Sequence, residues 1–149
     1  QNVVHRDIKP ENFVVQLDEG SCGPPATLVD FGCATSVPEG GFLKGKVGTP
    51  LYMAPEVSKP PFEHSFPADV YSLGMTLRYM FTLNRGWAEM EEEMGTEQMD
   101  ELKTLVQSMV TQNPKNRATI AEVKQAIQTY LKKFPFPQAA DMMSSPIVS

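Results

Sequence analysis

The sequence predicts a mainly α-helical domain with a few short β-strands. Three observations carry that prediction. Val70, Tyr71, Leu73, Leu77, Tyr79, Met80, Phe81 and Leu83 make residues 70–83 apolar almost all round, the pattern of a helix buried in the centre of a domain. Met99, Leu102, Leu105, Val106, Met109 and Val110 follow a one-sided helical spacing. Only two short runs favour strand: Phe13, Val14 and Val15, then Thr27, Leu28 and Val29.

Taken in order, residues 3–12 are a short apolar start followed by charged and turn residues, so they read as a loop. The two β-favouring runs flank a turn-rich break at residues 20–25 and read as a hairpin with a long connection. Residues 33–50 carry Gly40, Gly41, Gly45 and Gly48 with little periodicity, which predicts a long loop. Such loops inside compact domains are usually functional or disordered. The apolar helix over 70–83 comes next. The acidic cluster at 89–93 reads as a solvated face. After the 99–110 helix, Thr119-Ile120-Ala121-Glu122 has the form of a capping box, in which hydroxyl and carboxylate satisfy each other's end amides. The helix it opens is expected to turn Ile120, Val123, Ile127, Tyr130 and Leu131 inward and to end at Pro135 and Pro137. Residues 138–149 look like a loose tail, and no internal repeat is found.

The bulk composition narrows the function classes. A chain of 149 residues fits one domain with one core. With 41% hydrophobic and 21% charged residues, the balance is that of a globular protein. A net charge of -5 argues against nucleic-acid binding, whose footprint is usually basic. Cys22 and Cys33 make no disulfide framework, and with the histidines they lack zinc spacing. They read as ordinary thiols of an intracellular, cytoplasmic protein. No apolar run is long enough to insert in a membrane, and no secretory signal opens the chain. The first residue is Gln1 and dense motif follows at once, so the chain is expected to be cut from something longer.

The motifs are more specific. Residues 5–12 read His5-Arg6-Asp7-Ile8-Lys9-Pro10-Glu11-Asn12, residues 30–32 Asp30-Phe31-Gly32, and residues 54–56 Ala54-Pro55-Glu56. In this order they resemble the eukaryotic protein kinase family, and the phosphoryl transfer that the resemblance implies asks little covalent chemistry of a protein. It needs the nucleophile aimed in line and the phosphate charge neutralised. Asp7 and Asn12 share one loop, and Asp30 follows a short strand able to return beside it. One carboxylate can then face a substrate hydroxyl while the other holds metal. Over residues 1–134 the chain resembles the eukaryotic protein kinase family, with its catalytic loop, metal motif and activation-segment end in the family's order.

The resemblance implies a kinase C-lobe (large lobe) with the N-lobe absent, residues 1–134 forming the C-lobe fragment and 135–149 a C-terminal tail. It also implies roles. Asp7 would orient the substrate hydroxyl and accept its proton, and Lys9 would sit against the transferred phosphate. Asn12 and Asp30 would hold the Mg2+ ions that bridge the phosphates of ATP. Thr49 would hydrogen-bond near Asp7 and Lys9. Gly32 would give the backbone freedom after Asp30. Glu56 would pair with buried Arg117. Asp69, at the start of the 70–83 helix, would brace the catalytic loop; a plain helix-start carboxylate is its other reading. His5 reads as a packed structural histidine. Lys9 two residues after Asp7, and residues 48–56, resemble the serine/threonine-directed pattern. The implied partners are a protein substrate with a Ser or Thr hydroxyl and the N-lobe of the same parent chain.

Three departures stand out. Arg6 resembles the arginine that grips an activation-segment phosphate. Yet residues 37–47 contain no serine, threonine or tyrosine, so activity is expected without phosphorylation there, Glu39 or a partner supplying any charge needed. Ala118 stands where the family commonly has proline, and the insert at residues 21–25 is longer than usual. The glycine-rich phosphate loop, its strand lysine, the helix glutamate, the adenine hinge and the helix leading into residue 5 are not in this sequence. Part of the 70–83 surface should therefore be uncovered, and the segment alone should bind ATP poorly. A pseudokinase scaffold and a small-molecule phosphotransferase of kinase-like fold are the alternatives. Intact Asp7, Asn12 and Asp30 speak against the first, and Ala54-Pro55-Glu56 against the second.

Overall fold

A computed structural model describes residues 2–16, 26–38, 40–83, 91–92 and 94–135. Cys22, the 21–25 insert, Glu39 and the tail from residue 136 onward lie outside the described residues. The fold is mainly α with short strands, like a kinase C-lobe. Helices whose bounds are described include α1 (Pro55–Ser58), α2 (Phe66–Leu83), α3 (Thr96–Met109) and α4 (Ile120–Lys133). Among the described residues, three two-stranded antiparallel ladders pair β1 (Val3–Val4) with β4 (Thr35–Ser36), β2 (Phe13–Val15) with β3 (Ala26–Leu28), and β5 (Leu43–Lys44) with β6 (Glu63–His64).

The β2–β3 hairpin forms as the sequence predicts, with Phe13 opposite Leu28. Its second strand starts and ends one residue early, because Val29 turns its N–H to Asn12 O at 2.8 Å, next to the loop it supports. Two predicted loops contain strands. Val3 and Val4 pair with Ser36 and Thr35, and Leu43 and Lys44 pair with His64 and Glu63. Two-residue strands carry no readable alternation, and their partners are distant in sequence, so no local pattern announces them.

α2 is the hub, and its most buried positions are not its largest side chains. The residues it buries completely are small or short: Ala68, Val70, Ser72 and Thr76. Gly74 lets α3 approach so closely that a Cβ there would lie 2.8 Å from Met109 Cβ. Val70, Met109 and Val123 form one buried cluster, backed by Leu73, Leu77, Leu105 and Ala118. Ala54, Val57 and Ala68 form a second, backed by Met53 and Tyr71. Tyr71, Leu73, Met75, Leu77, Tyr79 and Phe81 are only partly covered, and Phe66 and Met80 are exposed.

The capping box at Thr119 forms with both reciprocal bonds present. The inner face expected for α4 does not: Val123 is 2% exposed, whereas Ile120 is 60% exposed and Ile127 and Leu131 are also exposed. α4 packs against α3 through one edge, so the predicted stripe is split between a buried side and an open one. No described helix is long and apolar enough to cross a membrane.

Candidate active site

The loop after β1 is held from three sides. His5 is buried, its Nε2 3.1 Å from Val29 O, and its ring meets Phe31 edge-on at 4.9 Å. Asp69, in the first turn of α2, accepts the His5 N–H at 2.6 Å on Oδ2 and the Arg6 N–H at 3.0 Å on Oδ1. Asp69 thus serves the loop backbone as well as standing near the helix start. Arg6 has φ 68°, a left-handed conformation that a non-glycine residue keeps only under such constraint. Its Nε donates to Cys33 O at 2.6 Å.

Asp7 comes next, and two side chains, Lys9 and Thr49, close a triangle with it. Lys9 Nζ lies 2.8 Å from Asp7 Oδ2. Thr49 Oγ1 donates to Asp7 Oδ1 at 2.7 Å, and Lys9 Nζ donates to Thr49 Oγ1 at 3.1 Å. Burial pushes the Asp7 carboxyl up, but the hydrogen bonds from Lys9 and Thr49 and the Lys9 charge outweigh it and hold it below the usual range. The Asp7 hydrogen bond raises Lys9, with added pull from the charges of Asp7, Glu11 and Asp30, against an opposing desolvation effect. Both groups are therefore ionised at neutral pH.

Asn12 is buried at the end of a short 3-10 turn and donates from Nδ2 to Asp7 O at 2.8 Å. Its side-chain oxygen remains as a hard donor. Asp30 is exposed, at φ 60°, and its Oδ1 accepts the Gly32 N–H at 3.2 Å. The two loops converge: Asn12 O accepts from Val29, beside Asp30, and Lys9 feels the charges of Asp7 and Asp30 together. The positive φ thus falls on Asp30, and Gly32 does not adopt one, which corrects the conformational role expected of that glycine. A Cβ at Gly32 would sit 3.1 Å from Asp30 Oδ1, so what Gly32 supplies is space beside the carboxylate.

Asn12 and Asp30 fit Mg2+, which takes oxygen ligands and keeps waters and phosphates among them. No group of three or more His, Cys, Asp or Glu able to cage a metal occurs among the described residues.

Glu56 and Arg117 meet in a bidentate pair, Nη1 to Oε1 at 2.6 Å and Nη2 to Oε2 at 3.0 Å. The Arg117 side chain is fully buried and also donates to Thr111 O and Pro67 O. It joins the α1 segment to the turn before α4.

Two contributors escaped the sequence reading. Gly48 has φ 109°, and a Cβ there would lie 2.3 Å from Arg6 O; the glycine signal was visible but its contact was not. His64 is 3% exposed and its Nε2 lies 3.3 Å from Asp69 Oδ1, a contact with no local signature.

The family model described as "protein kinase domain" matches residues 1–128. A mimivirus protein named as a serine/threonine-protein kinase, from Acanthamoeba polyphaga mimivirus, is 29% identical over 145 residues, covering 87% of this chain and 50% of the relative. Calcium-dependent protein kinase 2 of Zea mays is 34% identical over 139 residues, covering 83% and 26%. Mitogen-activated protein kinase kinase kinase 1a of Physcomitrium patens is 38% identical over 91 residues, covering 61% and 11%. The chain spans half or less of the length of these relatives.

Proposed function

Because this chain belongs to the eukaryotic protein kinase family, serine/threonine type, we propose that its residues 1–134 form the catalytic and metal-binding part of an enzyme that phosphorylates Ser or Thr hydroxyls of proteins. The observation that carries the reading is the Asp7–Lys9–Thr49 triangle, with its 2.7–3.1 Å contacts and with the Asp30 charge felt at Lys9.

Bound MgATP supplies the phosphoryl group that is transferred. Asp7, kept ionised by Lys9 and Thr49, is an acceptor ready to orient a substrate hydroxyl and take its proton. Lys9, a compact cation on the same loop, offsets charge on the phosphoryl group in flight. Thr49 ties the end of the 33–50 segment to both. Asn12 and Asp30 present the oxygens for the metal. The remaining nucleotide contacts, and the partner lobe that makes them, are assigned to other parts of the parent protein, which we place inside the cell.

Contacts among the described residues anchor the 33–50 segment, which supports activity without phosphorylation there. β5 pairs with β6, Gly45 N–H donates to Phe62 O at 3.0 Å, and Arg6 Nε is engaged by Cys33 O. Mass mapping of the active full-length enzyme should find no stoichiometric phosphate between residues 33 and 48; finding one would refute this regulation.

The test of the function is labelled phosphate transfer from MgATP to a protein substrate by the full-length enzyme, with phosphoamino-acid analysis. Asp7→Asn should lower kcat by about 10²–10⁴-fold with phosphoserine or phosphothreonine as the product of the unaltered enzyme. Equal turnover in the variant, or no turnover in the unaltered enzyme, sinks the reading in favour of a binding scaffold.

A further inference from the structure

His64 belongs to none of the motifs above, yet it stands at a junction. It lies on β6, opposite Leu43 of β5, within the ladder that anchors the 33–50 segment. Its Nε2 approaches Asp69 Oδ1 at 3.3 Å. The same Asp69 oxygen accepts the Arg6 N–H, and the other accepts the His5 N–H. Asp69 therefore touches both the strand ladder and the loop bearing Asp7.

We propose that His64 is a positioning residue for the catalytic loop, acting through Asp69 and coupling it to the β5–β6 ladder. The proposal rests on the kinase reading. A carboxylate only accepts hydrogen bonds, so the nitrogen that faces it is the one carrying the proton. The other ring nitrogen, Nδ1, is buried with no hydrogen-bond partner among the described residues, so Asp69 supplies the polar contact that fixes the ring. Without this donor, Asp69 Oδ1 keeps only the Arg6 N–H, and the carboxylate gains freedom to turn. Arg6 is the residue with φ 68°, a conformation that persists only where its surroundings over-determine it. Loosening Asp69 therefore loosens Arg6, and Asp7 follows it in the chain. Conversely, a shift of β5 carries His64 with it.

The experiment compares His64→Gln with His64→Met in the full-length enzyme. The two side chains have similar length and differ in the donor. Met is expected to lower kcat about 10-fold, the scale of losing a hydrogen bond to a charged group, with KM for ATP and for peptide within about twofold. Gln is expected to stay within about threefold of the unaltered kcat. In an Asp69→Asn background the Met substitution should add less than about twofold, since coupled residues are not additive. A Gln variant as impaired as the Met variant, by misfolding or by turnover, overturns the proposal, as does a Met variant with unaltered kcat. Amide hydrogen exchange of residues 5–7 gives a readout independent of activity: protection should fall about 10-fold in the Met variant and not in the Gln variant. If the unaltered enzyme transfers no phosphate, the kinase reading fails while exchange still decides the role of His64.

Discussion

At the scale of single residues, the site depends on a few close approaches. Gly48 is the tightest, its φ of 109° and the 2.3 Å distance from a Cβ to Arg6 O leaving no room for a side chain. Gly48→Ala should cost about 1–3 kcal/mol in backbone strain and lower turnover. Unchanged urea unfolding in that variant would contradict the close approach. Asp7 gives a pH signature. Its carboxyl is held below the usual value, so its interactions stabilise the fold fully above about pH 3.9 and are lost as pH falls through the lower folded value. The stability difference between the unaltered protein and Asp7→Asn, measured by urea unfolding, should therefore be constant near neutrality and shrink on acidification. A difference that grows toward acid would show the sign to be wrong. The roles expected of Asp7, Lys9, Asn12 and Asp30 came from the resemblance of their motifs to the kinase family rather than from any property of the residues taken singly. Gly48 was legible as a glycine but not as a contact, since Arg6 O reaches it only through the fold.

At the scale of elements, two junctions hold the helices in place. Arg117 joins α1 to the turn before α4 by its bidentate bond with Glu56, with a fully buried side chain over the Tyr71 ring at 5.0 Å. Arg117→Ala leaves the Glu56 carboxylate uncompensated and should destabilise by roughly 3–5 kcal/mol, the scale for breaking a buried pair from one side. Arg117→Lys should recover only part, because a point charge cannot serve both Glu56 oxygens and the backbone carbonyls. Urea unfolding of the two variants checks the order. Gly74 sets the α2–α3 distance. Gly74→Ala improves helix propensity, yet places a methyl 2.8 Å from Met109 Cβ and 2.9 Å from Val110 Cγ1. Overpacking of about 1–3 kcal/mol should win, so the variant unfolds at lower denaturant. The helices themselves were readable from periodicity and from the Thr119 box. The two-residue strands β1, β4, β5 and β6 were not, because each is defined by a partner far along the chain.

At the scale of the whole molecule, one face is apolar and open. Phe31 is 59% exposed, and Phe66 and Ile120 stand beside it along a groove of about 460 Å³ that runs under the His5 loop. Exposed apolar surface of this kind promotes association in water. The isolated 149-residue segment is expected to bind hydrophobic dye and self-associate. Phe66→Glu combined with Ile120→Lys should reduce both, by dye fluorescence and light scattering; a monomeric, dye-silent chain would contradict this. The sequence by itself determined the three long helices and the capping box, because propensity and periodicity are local properties, and it named the candidate chemistry-bearing residues only through the resemblance of their motifs. Tertiary structure alone decided that the α4 stripe splits, leaving Ile120 in the open while Val123 is buried. It also decided that the left-handed conformation beside Gly32 belongs to Asp30, and that His64 meets Asp69. Those outcomes depend on which surfaces meet across the fold, and a contact between distant segments leaves no periodic mark in either of them.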